Sequence, residues 1–199
     1  MPGIFSVHAA FFGLLQSVCV LAADAPRPLT DPIARKQVVQ AIENSSQFAD
    51  IVKDKSRLIT STVVHYHETL PGTRSESEIA ESLHFDYATG KTIDTVYNVT
   101  QKQIVKVEAK EAYPTPLADE EVSKAKSLAA EKDDHVKALL QKYPGREQLN
   151  VQAIAPVISD RSDKRFGKRL AILMFVPKAK LGDAVSVTVN LTDGTVAHE

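Results

Sequence analysis

Val63-Val64-His65-Tyr66-His67-Glu68-Thr69 is the stretch of this sequence whose residue types and spacing most suggest chemistry. On a β-strand, residues two apart share a face, so His65 and His67 would project together. Two imidazoles on one strand face can converge on a single ion. His84, in Ser82-Leu83-His84-Phe85-Asp86-Tyr87, falls on the next predicted strand and offers a third ligand, with Glu68 or Asp86 nearby. Copper or zinc is the ion such a set would take. The plainer reading is an exposed sheet face that carries two histidines and no cofactor.

The other charged clusters read as solvated surface. Ser159–Arg169 packs Arg161, Lys164, Arg165, Lys168 and Arg169 between two predicted strands; it could hold an anion or an acidic partner, and a solvated hairpin loop is the simpler account. His135 sits among charges on a predicted helix. The sequence has no glycine-rich phosphate loop and no Gly-x-Ser-x-Gly elbow. Its lone cysteine, Cys19, lies within the apolar leader described next, so the chain beyond it has no thiol nucleophile.

Bulk composition narrows the function classes. The chain has 199 residues, 43% hydrophobic and 25% charged, which is globular. Its 24 basic and 25 acidic residues leave a net charge of −1, so no overall field would draw nucleic acid or anionic lipid. Aromatic residues make up 6%, with no Trp, a poor basis for stacking bases. From Ala9 to Ala23 the chain is nearly uninterrupted apolar, too short to span a bilayer comfortably, and Asp24 ends it. Ala22 and Ala23 suit a signal peptidase, although no Lys or Arg precedes the run. The expectation is a signal peptide over 1–23, then a secreted or periplasmic protein with no membrane attachment.

The elements follow from periodicity. Thr30 or Asp31 can cap a helix over Ile33–Val52, with a break near Asn44-Ser45-Ser46. Arg57–Leu70 alternates and is β-branched, and strands are predicted at Ile79–Tyr87, Lys91–Thr100 and Gln103–Tyr113. Pro114 and Pro116 then form a linker, and a second amphipathic helix over Glu120–Lys142 carries Val122, Ala125, Leu128, Ala129, Val136, Leu139 and Leu140 on one stripe. Further strands follow at Leu149–Ser159, Arg169–Lys178 and Ala184–Thr192, with a short one from Gly194.

The two halves repeat each other. Pro28-Leu29-Thr30-Asp31 matches Pro116-Leu117-Ala118-Asp119, and Asn98-Val99-Thr100 matches Asn190-Leu191-Thr192 at nearly the same offset. Matches at both ends of a unit indicate tandem duplication. The predicted fold is α+β, with a first unit over 24–113 and a second over 114–199, each a helix packed on an antiparallel sheet in a cystatin-like layer. Asn44, Asn98 and Asn190 all fit the N-glycosylation acceptor pattern, but the last two equally suit a strand approaching a turn.

From about Phe85 to Leu140 the chain resembles the small N-terminal domains of copper amine oxidases: strand, hairpin, a strand ending in charges, then Pro114-Thr115-Pro116-Leu117 and an acidic-start helix. The resemblance implies tandem cystatin-like α+β units, in agreement with the duplication. It does not carry the family's catalysis. No Asn-Tyr-Asp or Asn-Tyr-Glu quinone precursor occurs, Tyr97 preceding Asn98 in the reverse order, and the family's catalytic β-sandwich has no counterpart here. His65-Tyr66-His67 is similar to the copper His-x-His but sits in the wrong region, so the resemblance assigns it no copper role. Cystatin-type inhibition lacks its Gln-x-Val-x-Gly wedge. The residues therefore point to an exported, non-catalytic binding or accessory module whose partner is a protein or small ligand, with self-association a further option. The alternatives are a fragment or subunit of a copper/quinone amine oxidase, or a metal-binding protein using the His-x-His strand.

Overall fold

The computed structural model describes residues 25–69 and 76–198. The expected signal peptide, Cys19, and most of the polar loop after Leu70 lie outside the described residues. The fold is α+β, as predicted: two antiparallel sheets, each with a helical pair on one face. The first sheet has the order β1-β2-β3-β4-β5, from Arg27–Pro28, Leu58–Glu68, Ser77–Asp86, Lys91–Asn98 and Gln103–Lys110. The second runs β6-β7-β8-β9, from Leu149–Ile154, Leu170–Pro177, Val185–Asn190 and Thr195–His198.

Local chemistry sets the helices. Pro32–Glu43 forms α1 because Asp31 accepts from the Ile33 and Ala34 amides at 2.8 and 3.2 Å while Pro32 has no amide to orphan. The expected break falls at Asn44, and the Ser45 hydroxyl restarts the chain as α2, Ser46–Ile51, by accepting from Phe48 N–H at 3.2 Å. The second helix also breaks, which the apolar stripe alone does not reveal. Asp119–Lys132 forms α3, and Asp133 then caps α4, Asp134–Lys142, by accepting from Val136 N–H at 2.9 Å. A second acidic cap within a continuous stripe bends the helix without losing its apolar face.

Each unit has its own core. Val38, Ile42, Phe48 and Val52 from the first helical pair pack on Val63, Ala80, Ile93 and Tyr97. Ala125, Ala129, Val136 and Leu139 pack on Ala171, Leu173, Phe175, Val187 and Val189. The hairpin turns repeat, because the Asn98 carboxamide oxygen accepts from Gln101 N–H at 2.8 Å and that of Asn190 from the equivalent Asp193 N–H at 3.4 Å and from Thr192 N–H at 3.0 Å. These two asparagines close turns, as their place in the repeat suggested; Asn98 is fully buried.

Large apolar side chains in such a core contribute about 1.5–3 kcal/mol each. Leu139→Asp should unfold the second unit, because a carboxylate there has no partner, whereas His67→Ala on the exposed end of β2 should shift the melting temperature by only a few degrees. Circular dichroism melts of both variants check this.

Candidate functional site

The three histidines proposed as metal ligands are not brought together. His65 and His67 share a face of β2, opposite Ala80 and Glu78. His84 lies four residues along β3 from Ala80, which separates it from His65 by roughly 13 Å of strand. Among the described residues no group of three His, Cys, Asp or Glu side chains is close enough to hold an ion. His65 Nδ1 faces Glu78 Oε1 at 3.8 Å. His84 is a core residue, edge-on to Phe48 with ring centroids 5.2 Å apart, and Ser82 Oγ lies 3.4 Å from its Nδ1. Burial, reinforced by the Arg35 charge, pushes its pKa down to about 4. Glu43, 3.8 Å from Nε2, is too far to hydrogen-bond and does not rescue the charged form. His135 stays on the helix surface, stacked on His198 at 4.2 Å.

The basic run Ser159–Arg169 divides on folding. Arg161 pairs with Glu111, and Arg165 with Asp163 at 2.8 Å, on the surface as expected. Arg169 departs from the reading of a solvated loop, being only 4% exposed. Its guanidinium grips the Glu121 carboxylate through Nε at 2.8 Å and Nη2 at 2.7 Å. Two linker carbonyls take further donors: Thr115 O from Nη1 at 2.9 Å and Pro116 O from Nη2 at 2.6 Å. The first unit closes the remaining sides. Tyr87 O–H donates to Glu121 Oε1 at 2.7 Å, Ser61 Oγ lies 3.4 Å from Nη2, and the Phe85 ring sits 4.7 Å beneath the guanidinium carbon. Burial alone would raise the Glu121 pKa; hydrogen bonds and charge from Arg169, with help from Tyr87 and the Ala118 N–H, outweigh it and hold the carboxyl below its usual range. Nearby, Gly90 and Gly167 both have left-handed backbones, and a Cβ on Gly90 would collide with the Gly167 carbonyl. Two backbones meet there without side chains between them.

This junction leaves a cleft. It has a volume of about 800 Å³ and runs along the Leu58–Val63 segment of β2, between Arg35, Lys36 and Val39 of α1 and Glu120 of α3. A connected recess of about 320 Å³ shares Leu58, Ile59 and Glu120 and adds Arg57 and Lys124. The floor is a strand edge. The short β1 covers β2 only at Val64 and His65, and Leu29 N–H adds one bond to Val63 O at 2.9 Å. On the outer edge from Leu58 to Thr62 the Leu58 N–H donates to Lys55 O, and among the described residues no backbone group pairs with the stretch Ile59–Thr62 from outside. Sequence reasoning missed both Arg169 and this edge. The hint for Arg169 was its place one residue before an apolar strand, but burial of a charge depends on a distant partner.

No protein-family model matches the chain, and the search of curated proteins found no match. Among solved structures, a copper-containing benzylamine oxidase from Hansenula polymorpha is similar with a TM-score of 0.45 and 13% identity, over 80% of this chain. The chain spans 28% of the length of that oxidase.

Two measurements test the buried groups. Arg169→Met should cost about 3–5 kcal/mol in a denaturant melt, since it strands the Glu121 carboxylate, and adding Glu121→Gln should recover part of the loss. Glu121, with its pKa depressed in the fold, contributes stability above the ordinary carboxylate range that is lost as pH falls through its lowered value. His84, neutral in the fold, stops the native state taking up a proton that the unfolded chain accepts below about 6.5. Melting temperature should therefore fall as pH drops from neutrality toward 4, and His84→Leu should flatten that segment of the profile.

Proposed function

We propose that this chain is an exported, non-catalytic binding module that captures an extended, acidic polypeptide segment in the cleft between its two units. The observation that carries the reading is the open Ile59–Thr62 edge of β2 on the cleft floor. An open strand edge presents a row of N–H and C=O groups that pair with an incoming strand, so backbone bonding supplies affinity and the walls supply selectivity. Those walls carry Arg35, Lys36, Arg57 and Lys124 against the single surface acid Glu120. Arg35, Lys36 and Arg57 make no ion pair with a described residue, so their charge is available to a partner. Signal-directed export fits the apolar leader, and the buried Arg169 clamp would hold both walls in register while a ligand binds.

Selection of random displayed peptides on the full chain should yield extended sequences rich in Asp and Glu. On binding, the outward-facing amides between Ile59 and Thr62 should gain protection from hydrogen exchange. Arg35→Glu with Lys36→Glu should weaken the selected peptide by about tenfold or more, and N-methylation of its alternate amides should abolish binding. Peptides that bind without protecting this edge, or that ignore both changes, would show that the cleft is not the site.

A further inference from the structure

The duplicated units differ at one place where the second is filled and the first is open. In the second unit, Leu191 N–H donates to Arg169 O at 2.8 Å, while Thr192 Oγ1 accepts from Arg169 N–H at 2.9 Å. In the first, Val99 N–H donates to Glu78 O at 2.8 Å, while Thr100 Oγ1 accepts from Glu78 N–H at 3.0 Å. Glu78 therefore occupies the position of Arg169. Continuing that register, Ala80 opposite Tyr97 corresponds to Ala171 opposite Val189. Lys102 corresponds to Gly194, and both have left-handed backbones, with φ 55° and 74°. Ala34 lies three residues after its helix N-cap, as Glu121 does.

At this position the second unit holds a protein carboxylate. Glu121 accepts there from a cation, Arg169, and a phenol, Tyr87. In the first unit a methyl group at Ala34 leaves a pocket of about 430 Å³ between α1 and the sheet. Val38, Ala41, Ala80 and Val99 make its walls apolar. Tyr97 lines it while only 7% exposed, and its hydroxyl has no hydrogen-bond partner among the described residues. Lys102 lines it too, without an ion pair among those residues. The single acid on the rim, Glu78, faces His65. A cation and a phenol are thus present here from other positions of the repeat, Lys102 where the second unit has Gly194 and Tyr97 where it has Val189, and α1 offers no carboxylate at Ala34.

We propose that this pocket binds a small amphipathic carboxylate, its apolar body between α1 and Ala80 and its anionic head on the Lys102 ammonium and Tyr97 hydroxyl. The volume lies within the usual range for small-molecule sites, and an apolar cavity with a few convergent donors is the usual composition of one. The site is separate from the junction cleft and does not depend on what the cleft binds.

Calorimetric titration of the full chain with octanoate and with 1-octanol, which has the same tail and no charge, tests the proposal. Octanoate should bind saturably and at least about tenfold more tightly than octanol. Lys102→Gln should reduce octanoate to the level of octanol, Tyr97→Phe should weaken it about threefold, and Ala41→Phe should exclude both probes. Should Ala41→Phe fail to fold, nuclear Overhauser contacts from the octanoate methylenes to the Tyr97 ring supply the location. Equal affinity for the two probes, indifference to Lys102→Gln, or no saturable binding would overturn the proposal. Occupation of the pocket by residues 1–24 of the chain itself, seen as contacts from that segment to Tyr97, would also overturn it.

Discussion

A guanidinium and a carboxylate, removed together from water, hold the two halves of this protein in one arrangement. Charges in a low-dielectric interior are tolerable only when nearly every donor and acceptor is used, and Arg169 and Glu121 come close to that limit. The partners are drawn from four places: the linker carbonyls of Thr115 and Pro116, the start of α3, the Tyr87 turn after β3, and Ser61 on β2. Moving one unit relative to the other would break several of these bonds and leave charge buried without compensation. An apolar contact of equal area would slide more easily. The cleft exists in a defined shape because this cluster does.

The duplication explains why the cluster can sit where it does. In both units an Asn-x-Thr hairpin turn is stapled to the neighbouring strand by the same two bonds, one between backbones and one from a strand N–H to the Thr hydroxyl. That staple presents one side chain toward the start of the helix: Glu78 in the first unit and Arg169 in the second. The same backbone position therefore serves a surface pair with His65 in one copy and the buried clamp in the other.

Cleft and pocket flank the same helix. Arg35 and Lys36 of α1 line the cleft, Ala34 and Ala41 line the pocket, and Leu29 reaches both. The sequence carries a net charge of only −1, yet cations gather on the cleft walls, so the local charge there differs in sign from the whole. His65 lines the pocket and pairs with Glu78, while His67 lies two residues farther along β2.

The elements themselves were legible in the sequence. Apolar spacing, an Asp or Ser cap and β-branched alternation are local signals, and they placed α1, α2 and most strands, as well as the repeat of the Asn98 and Asn190 turns. The second helix was read as continuous, because Asp133 caps α4 without interrupting the apolar stripe, and the strands expected to reach Tyr113 and Ser159 end at Lys110 and Ile154. What tertiary structure alone decided concerns polar residues. Arg169 stands among four other basic residues that reach solvent or surface partners, and nothing adjacent to it announces Glu121, 48 positions away. His84 looks like a third ligand by strand count and does share a sheet face with Ala80 and His65, but it lies roughly 13 Å along the strand, where α2 packs over it and Phe48 meets its ring. A polar side chain carries the same local pattern whether water or a distant partner satisfies it, so its role is settled only when the chain closes on itself.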